Sequence, residues 1–256
     1  MKITNWKQFA RQVRSRGTLL SNLSDFEDPI LISGCQRSGG TMLAHALSRH
    51  TEMVEFDWFR DAELHAGLIL SGVERDVPAG RWVFQTTYLN ECYPEYFEQE
   101  KAFKLVWLVR NPYSVVYSMV SNWSRFALNE LFDACGSGQL TGVYRDRYER
   151  WGRMGVRMVT RACAAYVAKV EQMAELRARL SEDAMHIIEY ERLVQNKESE
   201  LARICEFVGL GHDPDIAGSI NTNSLHKASR LSRAERHQTA ELCGAAFDQA
   251  RALARG

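Results

Sequence analysis

Two loops of this 256-residue chain carry residue types at spacings that suit the binding of phosphate groups. The first runs from Gly34 to Thr41, between a β-branched apolar run and a helical pattern, so backbone N–H groups and a helix N-terminus face an anion there. Its spacing fits G-x-x-x-x-G-K-[ST], except that Gly40 stands where that motif has lysine, and Arg37 is the only cation of the loop. The loop indicates a phosphate site that does not handle a γ-phosphate in the usual way. The alternative is an ordinary strand-to-helix turn.

The second loop follows the apolar run 103–109 and opens with Arg110-Asn111-Pro112. Asparagine at an N-cap followed by proline at the first helical position predicts that a helix begins here. An arginine at a strand end beside a helix N-terminus suits a phosphate held by charge-assisted, bidentate hydrogen bonds. The alternatives are a strand-end salt bridge for Arg110 and a helix-surface or core hydroxyl for Ser118, two turns into the helix. Together the two loops suggest a nucleotide that is phosphorylated at two places.

The elements that must position both loops are strands that end at the same edge of one sheet. Helical patterns alternate with apolar runs that predict strands at 29–33, 82–87, 103–109 and 185–188. Residues 53–59 are expected to form a short strand or a strand-to-loop passage, and 4–16 a short basic surface helix. The predicted fold class is α/β, with three α/β/α layers, a central and mostly parallel sheet, and a phosphate-binding loop like that of P-loop NTPases.

The chain is expected to form one domain over 1–256, because it shows no repeat, no low-complexity tract and no clear linker. Within it, 22–210 is predicted to be the core and 221–256 a C-terminal tail and helix. The aromatic and basic stretch 125–155 is predicted to supply the acceptor side of the site and a lid.

Composition argues against several classes of function. The formal net charge is zero, which disfavours a general nucleic-acid or membrane-surface binder. The six cysteines form no CxxC pair and no metal-ligand spacing, which favours free thiols, a reducing cytoplasmic compartment and no metal. No apolar run approaches the roughly 18 residues that a membrane span needs. The sequence does not predict the oligomeric state.

A nucleoside-triphosphate enzyme of the common type would carry the loop lysine, and an aspartate after a hydrophobic strand to hold Mg²⁺. Gly40 and Arg110 stand at those places, so no metal site is predicted. A small-molecule kinase that uses a nucleoside triphosphate is nevertheless one alternative. A nucleotide-binding protein without catalysis is another.

With both loops in view, the sequence resembles the sulfotransferases that use 3′-phosphoadenosine-5′-phosphosulfate (PAPS). Residues 36–41, Gln-Arg-Ser-Gly-Gly-Thr, are similar to that family's 5′-phosphosulfate loop, Pro-[Lys/Arg]-Ser-Gly-[Thr/Ser]-Thr. Residues 109–118 are similar to its 3′-phosphate motif, in which a serine follows the arginine by eight positions. Tyr190-Glu-Arg-Leu and the later Phe-Val-Gly at 207–209 resemble its third landmark. The three landmarks stand in the family's order across 29–210.

The resemblance implies sulfuryl transfer from PAPS to a hydroxyl or amine of a small molecule or natural product. Adenosine 3′,5′-bisphosphate (PAP) would be the product, and no metal would be needed. Arg37 would contact the 5′-phosphosulfate and stabilise charge on the leaving oxygen. Arg110 and Ser118 would hold the 3′-phosphate, and Tyr190 would lie near the adenine. The other implied nucleotide contacts are Ser38, Gly39, Gly40 and Thr41 in the loop, and Lys227 and Arg230 in the tail.

The catalytic base is the least determined part of the expected site. Where the cytosolic branch of the family has a histidine after a strand, residues 85–88 read Gln-Thr-Thr-Tyr. Other branches use a carboxylate after the phosphate-loop helix, so Asp57 is the first candidate and Glu55 the second. Further candidates are Asp61, Glu63 and His65, and any of these acids could instead be a solvated surface charge. Gln36, which replaces the family's proline, has no explanation at this level.

Overall fold

The computed structural model describes residues 3–55, 61–211, 213–220 and 225–255. Its centre is a four-stranded sheet with strands β1 Ile30–Gly34, β2 Val83–Gln85, β3 Lys104–Val109 and β4 Met185–Glu189. The strands lie in the order β2-β1-β3-β4, and every neighbouring pair is parallel. All four predicted strands are therefore confirmed.

Ten α-helices surround or extend this sheet in the described part of the chain. The first five are α1 Trp6–Gln12, α2 Gly40–Ser48, α3 Ala62–Leu70, α4 Pro112–Ser121 and α5 Arg125–Leu131. The others are α6 Gly142–Trp151, α7 Met158–Arg179, α8 Tyr190–Gln195, α9 Lys197–Val208 and α10 Arg233–Leu253. Short 3₁₀ segments at Thr87–Glu98 and Leu225–Arg230 also contribute to the site.

Alternation along the strands divides the core into two apolar layers. Ile30, Ile32, Val106 and Leu108 pack in the layer that contains α2, α8 and α9. The intervening strand residues, such as Leu31 and Trp107, belong to the layer that contains α1, α3, α4, α7 and α10. Because successive side chains of a strand point to opposite faces, a sheet that is apolar on both faces must be covered twice. The three-layer α/β/α arrangement follows.

One local prediction is narrowed and another needs correction. Where it is described, the segment 53–59 is a strand-to-loop passage and not a strand, because a single bridge between Met53 and Arg81 is its only sheet-like contact among described residues. Helix α1 is more than a surface helix, since Phe9 is fully buried and packs with its neighbour Trp6 against Tyr88. Its burial brings the N-terminal helix into the wall of a cavity described below.

No helix in the described ranges combines the length and apolar character needed to cross a bilayer. The six cysteines are all free thiols, and Cys163, Cys205 and Cys243 are buried within helices, as the sequence predicts.

Candidate active site

The phosphate loop joins β1 to α2 at the carboxyl edge of the sheet, and its backbone requires glycine at two places. Gly34 has φ +143°, and a Cβ there would lie 2.6 Å from the Leu108 carbonyl oxygen. Gly39 has φ +102°, and a Cβ there would lie 2.6 Å from two ring atoms of Tyr190. A side chain at Gly40 would meet nothing closer than the Gln85 amide at 3.5 Å, so that glycine is not sterically required. Gly39 is the N-cap of α2 and Gly40 its first residue, so the loop ends at a helix N-terminus whose first N–H groups lack partners within the helix.

The second loop begins where β3 ends, and its helix α4 starts as the Asn-Pro signal predicts. The Asn111 side chain accepts a hydrogen bond from the Ser114 N–H at 3.1 Å, and Pro112 is the first helical residue. Parallel pairing of β1 with β3 places this strand end directly beside the phosphate loop.

The two loops converge on one basic cavity. The Arg110 Nη1 donates to the Arg37 carbonyl at 3.0 Å, and the Arg37 Nε donates to the Ser118 hydroxyl at 3.1 Å. The Arg110 guanidinium also lies 4.0 Å from the centre of the Tyr190 ring, a cation–π contact that fixes its orientation. Burial lowers the pKa of Arg110, whereas Tyr190 and Glu191 act to raise it. An anion placed here would meet a pre-oriented guanidinium that is only 3% exposed.

We call this space the nucleotide cavity; its volume is about 230 Å³. Its walls include the predicted contacts Arg37, Gly39, Gly40, Thr41, Arg110, Ser118, Tyr190 and Lys227. Ser38 is 1% exposed, and its hydroxyl oxygen has no hydrogen-bond partner among the described residues. A buried hydroxyl in an anion-binding loop, together with the cradle at Gly39, fits a bound phosphate ester.

The C-terminal tail contributes one of its two predicted cations. Burial lowers the pKa of Lys227, and the nearby Arg110, Arg37 and Arg230 act in the same direction. Such mutual repulsion between cations is relieved when an anion binds among them. Arg230 is exposed and lies over the Tyr117 ring at 5.9 Å, outside the residues that line the cavity.

A second and larger cavity, of about 460 Å³, adjoins the first. We call it the acceptor cavity. Its apolar wall comes from α1 and from the α4–α5 corner, through Trp6, Phe9, Trp123, Phe126 and Leu131. The two cavities share the residues Gln36, Arg37, Thr41, Glu63, Gln85 and Trp123. A group held in one cavity therefore faces a group held in the other across Arg37 and Glu63.

Glu63 is the carboxylate at this junction. It lies in the first turn of α3, and its Oε1 accepts a hydrogen bond from the Thr87 hydroxyl, while Oε2 lies 3.4 Å from the Gln85 Nε2. Burial raises the pKa of Glu63 to about 7, against the opposing effect of the Thr87 hydrogen bond. A carboxylate with a pKa near neutrality can hold a proton or release it at physiological pH, as general acid–base catalysis requires.

The other candidate bases are less well placed. Asp57 lies outside the described residues. Glu55 is exposed and lines neither cavity, so the structure does not bring it to the site. Asp61 is engaged at the N-cap of α3, where it accepts hydrogen bonds from the Leu64 N–H at 3.1 Å and the Trp6 indole at 2.8 Å. His65 lies 3.2 Å from Glu74.

Gln36 now has a structural explanation. Its buried side-chain amide donates to the Thr87 carbonyl at 2.9 Å and to the Asn90 Oδ1 at 2.7 Å. Proline could make neither bond. The residue therefore ties the phosphate loop to the segment after β2, the same segment that holds Glu63 through Thr87.

No group of three or more His, Cys, Asp or Glu side chains suited to a metal ion occurs among the residues the structure describes. The expectation that the protein needs no metal therefore stays a prediction.

Fold and site together define a P-loop α/β protein with two adjoining cavities, a basic one beside the phosphate loop and a larger, more apolar one. A model of the sulfotransferase domain family matches residues 27–242. The chain belongs to this sulfotransferase family, and it is an enzyme that transfers a sulfuryl group. No curated protein sequence matches the chain well enough to be counted as a relative.

Solved structures share the fold at low sequence identity. A sulfotransferase domain from the curacin biosynthetic pathway is 14% identical with a TM-score of 0.53, over 84% of this chain and 96% of that one. A sulfotransferase from Alicyclobacillus acidocaldarius is 12% identical with a TM-score of 0.54, over 88% and 95%. Mouse sulfotransferase SULT7A1, complexed with PAP, is 15% identical with a TM-score of 0.52, over 93% and 92%.

Proposed function

We propose that this protein uses PAPS as the sulfuryl donor and sulfates a hydroxyl or amine of a small molecule. PAPS would supply the sulfuryl group and PAP would be the second product. One observation carries the proposal: the nucleotide cavity and the acceptor cavity meet at Arg37 and Glu63. A cation suited to the leaving group and a base suited to the nucleophile therefore stand on one shared wall.

Recognition of a nucleotide phosphorylated at both the 3′ and 5′ positions rests on the two strand ends. Ser38, Thr41 and the N-terminus of α2 would hold the 5′ side, and Arg110 with Ser118 would hold the 3′-phosphate. The first hydroxyl is buried without a partner among described residues, and the guanidinium is fixed by Tyr190. Lys227 would cover the nucleotide from the tail. Arg230 is exposed and lines neither cavity, which favours Lys227 over Arg230 as the nucleotide contact from the tail.

We assign the proton transfer to Glu63. Its carboxylate would accept the proton of the acceptor hydroxyl or amine as that atom attacks sulfur, which removes the positive charge that would otherwise build up on the nucleophile. Arg37 would stabilise the negative charge that develops on the departing phosphate oxygen. Fixed donors of this kind act in the transition state without a change of their own protonation.

The acceptor cavity favours a compact molecule with an apolar body. Aromatic side chains form much of its lining, and its volume of about 460 Å³ lies in the range of drug-sized ligand pockets. Helix α5 supplies part of this wall, which supports the acceptor role proposed for 125–155. Location in the cytoplasm is also part of the proposal, supported by the six free thiols.

Transfer of ³⁵S from labelled PAPS to a panel of phenols, alcohols and primary amines tests the proposal. The wild-type protein should label at least one acceptor, and Glu63→Gln should lower kcat by 10²-fold or more, about the contribution of a general base. The exposed Glu55→Gln serves as the matched control and should keep the wild-type rate. Asp57→Asn tests the other carboxylate expected from the sequence. Loss of activity in Asp57→Asn with full activity in Glu63→Gln would move the base to Asp57. PAP binding with no transfer to any acceptor would contradict the catalytic proposal.

A further inference from the structure

A lysine is buried behind the site, where the proposed chemistry does not require one. Lys169 lies in the middle of α7, is 2% exposed, and is among the largest fully buried side chains of the protein. No carboxylate oxygen lies within 4.0 Å of its Nζ among the described residues. Removing an ammonium group from water costs several kcal/mol, and lysine is almost never buried unless something pairs with it. Its retention in the core points to a specific task.

The Lys169 ammonium is aimed at the residue that holds Glu63. Its Nζ donates to the Thr87 carbonyl at 3.2 Å and lies over the Trp107 ring at 5.9 Å. The same carbonyl accepts a second hydrogen bond from Gln36. Thr87 in turn donates its hydroxyl to Glu63. One short relay therefore runs from the buried ammonium, through a single threonine, to the carboxylate at the junction of the two cavities.

We propose that Lys169 is a positioning residue for sulfuryl transfer: its buried ammonium fixes Thr87 and keeps the Glu63 carboxylate ionised and oriented toward the acceptor. This inference rests on the proposed role of Glu63 as the base. Lys169 lines neither the nucleotide cavity nor the acceptor cavity, so its charge would act on the reaction only through Thr87 and Glu63.

The charges around Glu63 determine how strongly Lys169 acts. Lys169 and Arg14 lower the pKa of Glu63, and Asp61 raises it. The ionisable groups that face Glu63 from the surrounding elements are Arg14, Arg37, Asp61, Tyr88, Tyr96 and Lys169. The two tyrosines are neutral near pH 7, since the ordinary pKa of tyrosine is about 10 and burial raises the pKa of both further. Three positively charged groups, Arg14, Arg37 and Lys169, therefore favour the ionised form of Glu63, and one carboxylate, Asp61, disfavours it.

The ionisable groups around Lys169 also identify Glu63 as its electrostatic partner. Burial lowers the pKa of Lys169, and Cys135, Cys35 and Glu63 act to raise it, while Arg14 lowers it further. Burial raises the pKa of the Cys135 thiol to about 11 and that of Cys35 higher still, so both thiols are uncharged at neutral pH. Glu63 is the group among these that becomes an anion near pH 7. The ammonium and the carboxylate therefore stabilise each other's charged form across Thr87.

The test replaces Lys169 by methionine, an unbranched apolar side chain of similar length. The Thr87 carbonyl keeps its hydrogen bond from Gln36, and Glu63 can lose its charge by binding a proton, so the fold should survive the loss of the ammonium. Without the ammonium, the proton on Glu63 is lost at higher pH. The acidic limb of the pH profile of kcat/KM should move up by about one pH unit, the lower end of the effect of a nearby opposite charge. The rate at pH 6 should then fall about tenfold, while the rate at pH 9 stays near that of the wild type.

Three further variants complete the test. Thr87→Val removes the hydroxyl that binds Glu63 while nearly preserving shape, and it should also move the limb upward. Lys104→Met is the matched control, because Lys104 is the first residue of β3 and the site lies beyond the last residue of that strand. The Lys104 Nζ also donates to a backbone carbonyl, that of Asp183, at 2.7 Å. Lys104→Met should leave the limb in place. Rescue of the limb's position by Lys169→Arg would support a role for charge over one for packing.

A direct titration separates this proposal from the one it rests on. The side-chain carbon of ¹³C-labelled Glu63 should titrate near pH 7 in the wild-type protein and about one pH unit higher in Lys169→Met. An unchanged titration in Lys169→Met would overturn the role of Lys169, whatever the activity. The opposite pair of results is also possible: Glu63 titrates at higher pH in Lys169→Met, and the Glu63→Gln enzyme keeps the wild-type pH profile of kcat/KM. That pair would overturn the role of Glu63 as the base and leave the electrostatic coupling between Lys169 and Glu63 intact.

Discussion

Replacing Glu63 by glutamine is expected to stabilise the folded protein at alkaline pH while it removes activity. Burial raises the pKa of this carboxyl from its ordinary 4.5 to about 7, so the folded protein binds the proton more tightly than the unfolded chain does. The free energy of unfolding therefore falls as pH rises from about 4.5 to about 7 and then stays at the lower level. At roughly 1.4 kcal/mol per pH unit between 4.5 and about 7, the charged carboxylate costs at most about 3.5 kcal/mol at pH 8.

Glutamine has nearly the same shape and does not titrate, so the variant should escape this cost. Glutamine can also differ from the protonated carboxyl in its hydrogen bond from Thr87 by about 1 kcal/mol. That difference is independent of pH, because the stronger bond to the ionised carboxylate is already contained in the pKa of Glu63. The difference between two pH values is consequently the sharper readout. Relative to the wild type, Glu63→Gln should gain about 2 kcal/mol of unfolding free energy between pH 5.5 and pH 8.

Urea denaturation followed by circular dichroism at the two pH values measures this difference. Glu55→Gln, a substitution at an exposed position, should change the stability by no more than about 0.5 kcal/mol at either pH. Equal effects of Glu63→Gln at pH 5.5 and pH 8 would refute the reasoning. So would a variant that is less stable at pH 8 than at pH 5.5 relative to the wild type.

Three further predictions concern the cavity walls. Gly39→Ala places a methyl group 2.6 Å from the Tyr190 ring at a φ of +102°, so calorimetry should show PAP binding weakened by about tenfold, which corresponds to strain of about 1–3 kcal/mol in the loop. Gly40→Ser meets nothing closer than Gln85 at 3.5 Å, and its added hydroxyl should tighten PAP binding about fivefold; unchanged or weaker binding would mean that this hydroxyl does not reach the nucleotide. Phe126→Ala should raise KM for apolar acceptors about tenfold and leave PAP binding unchanged, which separates the two cavities in a single kinetic experiment.

Much of the framework could be predicted from the sequence because local chemistry encodes it. The apolar run of β3 and the Asn-Pro signal after it locate a strand and a helix start without reference to the rest of the chain. Gly209 ends α9 in the left-handed conformation, with φ +71°, as its type suggests. These signals also place both phosphate loops at strand ends, and parallel pairing then brings the loops together.

The junction of the cavities could not be predicted, because it depends on tertiary contacts. The sequence includes Glu63 only among the further candidate bases, because acidic residues in the first turn of a helix are favoured by the helix dipole alone and the residue type does not single it out. Gln85 is the last residue of β2 and Thr87 follows that strand, and a residue pattern cannot show that this strand end faces α3. Lys169 resembles any solvated lysine in a helix until α7 is seen to be covered by α4 and α10. Gln36 acquires its role only when its partners after β2 are known.

Isothermal titration of the purified protein with PAP tests most directly whether the two strand-end loops read a nucleotide phosphorylated at two places. PAP should bind with one site per chain, and adenosine 5′-monophosphate should bind at least about tenfold more weakly, since it lacks the phosphate proposed for Arg110 and Ser118. Arg110→Ala should lower the affinity for PAP to that level and leave the affinity for adenosine 5′-monophosphate nearly unchanged. Absence of PAP binding, or tighter binding of ATP with Mg²⁺ than of PAP, would contradict the proposed function.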